Sequence, residues 1–316
     1  MLNCFLRAWL CVVLAVASLQ ATAQASYPPI LLVSDTDKEQ SLPENFRTSS
    51  DALPAEVNQV GLSDLHIAGS AQYSPDEWQA MMQRFANQPL KVFDLRQESH
   101  GLLNQLGISW YGPENAANAG KTQQAVNQDQ ALRLKDLSRQ AVVTVFQIVE
   151  KSPAGVVVQA IPSQHLVQAV LSEARFVAQK GYAYQRLYVQ DHHAPTDDQV
   201  DQFMLAVRDF PPSQWLYFHC RGGRGRTTTF MALYDMLHNA KKVSFHDIMA
   251  RQVALGGEDL TILPSPDSFK YQPALERLLF LKKFYRYAAT NQDQFKTSWR
   301  AWLIGESKGC IETKTN

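Results

Sequence analysis

Trp215-Leu216-Tyr217-Phe218-His219-Cys220-Arg221-Gly222-Gly223-Arg224-Gly225-Arg226-Thr227-Thr228 is the stretch from which the fold can be read. A short apolar run leads in, a turn of glycines and arginines follows, and Thr229-Phe230-Met231-Ala232-Leu233 continues as a helix. Strand, tight turn and helix N-terminus in that order make an anion trap, because backbone N–H groups point inward and the helix dipole favours negative charge. Gly222, Gly223 and Gly225 let the backbone curl without Cβ clashes. Arg226, with five residues between it and Cys220, is placed to grip two phosphate oxygens. Such surroundings favour a thiolate at Cys220. A thiolate held under a phosphate is placed for in-line attack on phosphorus. Thr227, at the helix start, is positioned to hydrogen-bond the sulfur and help it leave. A tight turn around a structural cysteine would not gather three arginines without an anion.

A departing alkoxide needs a proton, so this chemistry calls for a general acid. Asp191 is the best-placed carboxylate: it lies at a strand end, between Val189 and Pro195, in the strand–loop unit before the phosphate loop. Taken by itself it would read as a turn or cap aspartate; the loop makes it the acid. His192 and His193 are alternatives, or line the pocket. An aspartate beside two histidines also raises a metal site, but the spacing is poor and no third ligand cluster accompanies it. The expectation is therefore a reaction without metal or cofactor.

The chain has 316 residues, 45% hydrophobic and 19% charged, enough for one large domain or two modest ones. Its net charge of +0 argues against nucleic acid as a partner, and any anion site must be local. Arg7 precedes an apolar run from Ala8 to Leu19, and Ala21-Thr22-Ala23 and Ala23-Gln24-Ala25 offer small-residue cleavage patterns. That is the order of a secretory leader over residues 1–25. The run is short for a membrane span of about 20 residues, so export to the periplasm or beyond, without a membrane anchor, is expected. Cys4 and Cys11 would leave with the leader, and Cys220 and Cys310 would stay. A disulfide between the latter is not expected, with one in the loop and the other in a polar tail; a free thiol in an exported protein points to chemistry.

Residues 26–60 read as an extended arm over the body. Gly61 to Gln72 reads as a strand, and Ser74-Pro75-Asp76-Glu77 opens a helix running to about Asn87. Leu90 to Leu95 is a short buried strand that ends in the polar cluster Arg96-Gln97-Glu98-Ser99-His100-Gly101. Residues from Trp110 to about Asp129 suggest a loop or inserted element. Ala141 to Val149 and Ala154 to Ala160 read as a hairpin, and Pro162 to Lys180 as a helix. After a strand at Tyr184 to Val189, helices are expected from Thr196 to Asp209, Arg226 to Asn239, Ser244 to Leu255 and Pro273 to Thr290, with another over Gln294 to Leu303. Alternating strands and helices predict an α/β fold with a mostly parallel sheet.

His219, Cys220, Arg226 and Thr227 together resemble the signature of the cysteine phosphatases of the protein-tyrosine-phosphatase superfamily. Within it, the chain resembles the bacterial cysteine phytases, the tyrosine-phosphatase-like inositol polyphosphate phosphatases. The likeness extends through Phe93 to Gly101, Ile108 to Gly112, Asn115 to Gly120, Pro43 to Thr48, Asp191 to Pro195, Gly256-Gly257 and Phe284 to Tyr287. It implies a phosphatase-type α/β core flanked by helices with a small partial β-barrel, inserted within about residues 57–160 of one catalytic domain over residues 26–316. It also implies a phosphocysteine intermediate, no metal, and stepwise release of phosphate from myo-inositol hexakisphosphate. On the same basis His192, His219, Lys270, Arg47 and the loop residues Arg221, Gly222, Gly223, Arg224 and Gly225 are expected to bind substrate phosphates, while Asp94, Arg96, Glu98 and His100 support the site. One departure stands out. Cysteine phytases tend to carry an acidic or neutral residue after the cysteine, whereas Arg221 and Arg224 resemble the phosphoinositide 3-phosphatases. Extra arginines suit a ring with several phosphates, each pairing with a neighbour of the scissile one, or they face solvent and only raise the local potential. A phosphoinositide phosphatase is thus the competing reading, and a domain that binds phosphorylated partners without turnover is a third. No basic amphipathic helix offers a membrane patch, and nucleophile, arginine and acid are all present.

Overall fold

The computed structural model describes residues 27–36, 41–85, 88–211 and 213–312; the expected leader at residues 1–25 lies outside them. Along the chain come β1 (Leu31–Ser34), β2 (Arg47–Thr48), β3 (Ile67–Ser70), α1 (Pro75–Arg84), β4 (Leu90–Asp94), β5 (His100–Leu103), β6 (Leu106–Tyr111) and α2 (Gln123–Leu137). They are followed by β7 (Val142–Lys151), β8 (Val157–Leu166), β9 (Val170–Leu171), α3 (Glu173–Gln179) and β10 (Ala183–Arg186). The C-terminal part holds α4 (Asp197–Arg208), β11 (Trp215–His219), α5 (Gly225–Asn239), α6 (Phe245–Ala254), α7 (Tyr271–Thr290) and α8 (Trp299–Glu312).

The central sheet runs β10-β4-β11-β3-β2 and is parallel except at the edge, where β2 lies antiparallel to β3. The run Trp215 to Phe218 becomes its middle strand. Side chains alternate across a strand, and this alternation divides the core. Leu216 and Phe218 pack with Phe93, with Phe203 of α4, Phe230 of α5, Leu281 and Phe284 of α7, and Trp299 of α8. Tyr217 faces the other way, among Trp78 and Met81 of α1 and Phe176 and Val177 of α3. The same parity sends His219 to the Tyr217 side, where its ring stacks on Tyr217 at 5.7 Å. Cys220 joins the Phe218 side.

A second sheet, in the order β8-β7-β1-β6-β5-β9, stands beside the first. Its strands reach beyond the expected 57–160 window at both ends, since β1 comes from the arm and β9 lies at Val170–Leu171. Here the sequence misleads. The expected helix from Pro162 is the second half of β8, with Pro162 paired opposite Phe146 of β7, and helix begins only where Ser172 accepts from the Arg175 backbone N–H. The expected loop up to Asp129 contains instead the start of α2, capped by Thr122 and buried only through Val126, Leu134 and Leu137. So few apolar positions leave little period to read. The polar cluster after β4 is followed by two buried strands, β5 and β6.

On the far side of α5, Asp235 and Arg251 of α6 form a fully buried pair that Asn239 and Gln252 also join, and Arg251 Nη1 donates to the Val60 carbonyl at 2.9 Å. Removing one partner of such a pair strands the other charge, at about 3–5 kcal/mol. Asp235→Ala is accordingly expected to lower stability by about that amount in urea denaturation. A loss below about 1 kcal/mol, the ordinary scale of an exposed pair, would show that the pair does not hold α6 to α5.

Candidate active site

β11 ends at His219, and the backbone turns at once into the loop that opens α5. Cys220 lies at its base, 3% exposed, and its Sγ accepts from Thr227 Oγ1 at 3.2 Å. Gly223 has φ +66°, and a Cβ there would stand 2.3 Å from the Ala71 backbone nitrogen, so only glycine fits. The loop carbonyls are held from the arm and from the end of β3: Arg47 Nη1 donates to the Gly223 carbonyl at 2.8 Å, Asn45 Nδ2 to that of Gly222 at 2.9 Å, and the Gln72 N–H to that of Arg221 at 3.1 Å.

Arg226 is 1% exposed and is gripped by Glu98 through both terminal nitrogens, at 2.7 and 2.9 Å. Its Nη2 also lies 3.1 Å from Asp191 Oδ1. From Glu98 the charges alternate backwards: Arg96 Nε to Glu98 at 2.9 Å, Arg96 Nη2 to Asp35 at 2.9 Å, and Arg221 Nε to Asp35 at 2.6 Å. Arg221 further lies over the Tyr111 ring at 5.0 Å. Burial alone would raise the Glu98 carboxyl, but Arg226 and Arg96 outweigh it and hold the group far below the carboxylate range. Asp35 is treated alike: burial raises it, while Arg221 and Arg96 together bring it below its ordinary value.

Asp191, its side chain 22% exposed, accepts from Asn115 Nδ2 at 2.8 Å and from the His192 N–H at 3.0 Å. Burial pulls this carboxyl up; Arg226 and His192 pull harder and leave it below the usual range. His192 sits at φ +68° with its ring edge on Phe269 at 5.5 Å. Burial, with Lys270, Arg226 and Arg277 adding to it against the pull of Asp191, pushes His192 down to about 4 and keeps it neutral. His193 turns back, its Nδ1 2.8 Å from the Asp191 carbonyl.

A cleft of about 580 Å³ opens above Cys220, lined by Arg221, Gly222, Arg224, Gly225, Asp191, His192 and Lys270, all expected, and by Lys151 and Arg277, which were not. It adjoins a second hollow of about 450 Å³ between the β7–β8 turn and Phe269, bordered by Tyr111 and Asn115. Burial first, then Arg221, pushes Lys151 down to about 8. Nothing in its local sequence, the end of a strand before Ser152-Pro153, marks it as a site residue.

Two expected substrate contacts are corrected. Arg47 is 1% exposed and spends its guanidinium on the Gly223 carbonyl, the Asn45 carbonyl and Thr228 Oγ1, so it braces the loop from beneath. His219 is fully buried, with Nε2 2.6 Å from Glu173 Oε1, because strand parity turns it away from the cleft. Glu173 continues to His100 at 3.1 Å and His100 to Asp94 at 3.0 Å. Asp94 in turn takes the Tyr184 hydroxyl at 2.6 Å and Arg186 at 3.3 Å. Asp94, His100 and Glu173 bring ligand-type atoms within 4.8 Å of one another. Those atoms face protein partners, which is a supporting network under the loop.

This geometry defines an anion-binding loop with a cysteine sulfur at its base and a carboxylate at its edge. The family model for PTP-like phytase, described as "Inositol hexakisphosphate", matches residues 93–238. A PTP-like phytase from Bdellovibrio bacteriovorus is 33% identical, with 88% of this chain and 95% of that one covered and a TM-score of 0.71. A PTP-like myo-inositol phosphatase from Mitsuokella multacida, solved with myo-inositol-(1,3,4,5)-tetrakisphosphate, is 33% identical over 88% of this chain and 50% of that one, with a TM-score of 0.78. Effector protein hopD2 of Pseudomonas syringae pv. tomato is 33% identical over 81% of this chain and 56% of its own length. The chain belongs to the protein-tyrosine-phosphatase-like phytase family. It spans about half the length of the Mitsuokella and Pseudomonas proteins.

Gly223→Ala tests the loop geometry. The new Cβ must displace the backbone at Ala71 or the loop itself. A shift of about 1 Å in a reacting group costs on the order of 10²-fold in rate. Phosphate release from an aryl monophosphate is expected to fall by at least that factor, while circular dichroism retains the native helix content. Wild-type rates would contradict the fit.

Proposed function

We propose that this chain is a cysteine phosphatase that removes phosphates stepwise from myo-inositol hexakisphosphate through a phosphocysteine intermediate, without a metal. The observation that carries the reading is the cleft itself: Cys220 at its base, and Arg221, Arg224, Lys151 and Lys270 around a space of about 580 Å³, a cationic bowl suited to a ring bearing several phosphates. The Mitsuokella relative's inositol tetrakisphosphate complex supports the same ligand class. The leader-like N-terminus of this chain supports action outside the cytoplasm; after expression in a bacterial host, activity in the osmotic-shock fraction rather than the cytosol would accord with that.

In the first step the Cys220 sulfur attacks phosphorus, the bond from phosphorus to the inositol oxygen breaks, and that oxygen takes the proton of the Asp191 carboxylic acid. The loop N–H groups and Arg226, whose Nε has no partner among the described residues, stabilise the charge on the equatorial oxygens. In the second step water attacks phosphorus, Asp191 takes its proton, and the sulfur leaves with Thr227 Oγ1, 3.2 Å away, donating to it. Arg226, 3.1 Å away, keeps Asp191 ionised. A bound phosphate occupies Arg226 and adds negative charge, which raises the carboxyl toward the protonated form that the first step needs.

The sign of the pH dependence follows. The acid must carry its proton, so turnover is expected to be highest at acidic pH and to fall as pH rises through the bound-state value of Asp191. Asp191→Asn should lower kcat by about 10²- to 10⁴-fold and flatten that limb; an unchanged limb would assign the proton to another group. Cys220→Ser should abolish phosphate release from inositol hexakisphosphate, and retained activity would rule out the phosphocysteine route. If the wild type releases phosphate from short-chain phosphoinositides far faster than from inositol hexakisphosphate, a lipid phosphatase replaces this reading.

A further inference from the structure

We propose that Tyr111 is a positioning residue: its ring orders Lys151 beside Arg221 and so sets the cleft's preference for a substrate with several phosphates over one with a single phosphate. The inference rests on the polyphosphate reading above and extends it to an uncharged side chain that the reaction itself does not use.

Tyr111 ends β6, paired opposite Leu31 of β1. It is 4% exposed, in a small apolar cluster with Leu31 and Val33. Two cations stand over its ring, Lys151 Nζ at 4.9 Å and Arg221 Cζ at 5.0 Å from the centroid. They come from different parts of the molecule: Lys151 ends β7 in the second sheet, and Arg221 belongs to the phosphate loop. Both distances are within reach of a cation–π contact. Like charges brought together repel, and Arg221 is among the groups that disfavour the charged form of Lys151. The negative face of an aromatic ring offsets that repulsion for both.

The two cations differ in what else holds them. Arg221 is fixed by Asp35 at 2.6 Å. Lys151 is exposed, on a flexible four-carbon stem. Asp191 and Asp35 attract it, but among the described residues neither forms an ion pair with it. The Tyr111 ring is therefore what ties the ammonium to one place. The same side chain holds the turn after Lys151, because its hydroxyl donates to the Gly155 carbonyl at 3.2 Å, which also accepts from the Glu114 N–H at 3.0 Å. Lys151 lines both the cleft over Cys220 and the hollow beside it. Ordering a side chain before the ligand arrives removes an entropy cost from binding. A ring bearing several phosphates gains from that order. A lone phosphate, held by the loop N–H groups and Arg226, does not need it.

The test uses Cys220→Ser protein, titrated calorimetrically with inositol hexakisphosphate and with inorganic phosphate. Adding Tyr111→Leu should weaken hexakisphosphate binding by about 5- to 30-fold, the scale of a desolvated cation–π contact, and inorganic phosphate by no more than about 3-fold. Tyr111→Phe keeps the ring and gives up the bond to Gly155; it should recover most of the loss. Lys151→Met changes an exposed position, and adding Tyr111→Leu to it should cost less than Tyr111→Leu alone, because ring and cation act as a unit. Equal losses for the two ligands, a full loss in Tyr111→Phe, or losses that add in the combined variant would assign Tyr111 to the fold or the turn and overturn the proposal. If Tyr111→Leu does not fold, the lysine is read directly by NMR after isotope-labelled reductive methylation, which keeps the charge. The Lys151 methyl signal, assigned by its loss in Lys151→Met, should lie upfield of lysines that face no ring; an ordinary position would overturn the proposal equally. Hexakisphosphate binding that ignores Tyr111 removes this inference alone, whereas no hexakisphosphate binding removes the polyphosphate reading and this inference with it. Tyr111-dependent binding without wild-type turnover would leave the inference standing and remove the proposed reaction.

Discussion

The active site depends on a string of alternating charges: Arg221, Asp35, Arg96, Glu98, Arg226 and Asp191, each within 3.1 Å of the next. It starts at Arg221, the first arginine of the loop, passes through Arg226, the last, and ends at Asp191. Buried charges are expensive unless paired with good geometry, and here each interior member serves two neighbours. The string thus sets the bend of the loop and the reach of Asp191 together. Under the proposed function, an entering phosphate would replace Asp191 as the partner of Arg226, with Glu98 keeping the guanidinium in place. That is preorganisation in the sense that matters for a charged transition state.

Below the loop a second polar layer runs from His219 through Glu173 and His100 to Asp94. Burial lowers His100, but Asp94 prevails and raises it, and burial of Glu173 is outweighed by His219, which brings that carboxyl down to about 2. The layer comes from β11, α3, β5 and β4, elements of both sheets. It therefore ties the second sheet to the strand that ends in Cys220.

What was legible in the sequence had local chemistry. Ser74 and Glu77 form the reciprocal cap that their spacing foretold, and Thr196 and Ser244 cap their helices. The strand, loop and helix around Cys220 read correctly because glycines, arginines and an apolar run lie together. What stayed hidden was set by distant partners. Asp35, in an arm without period, is a hinge of the site only because Arg96 and Arg221 come to it in the fold. Arg277 sits in an apolar stripe and Lys151 at a strand end, and neither has a neighbour in sequence to announce it. Arg47 and His219 were placed at the substrate by their motif; parity along β11 turns His219 the other way, and the loop carbonyls claim Arg47.

The bond from Arg221 to Asp35 spans 186 residues, and that from Arg47 to Thr228 spans 181. Contacts of such sequence separation form late, because the intervening chain must first surrender its freedom. The arm is synthesised long before the loop that it braces. A growing chain therefore carries the arm before the cysteine that it will frame, and the capacity to bind a phosphate arrives as a property of the finished topology.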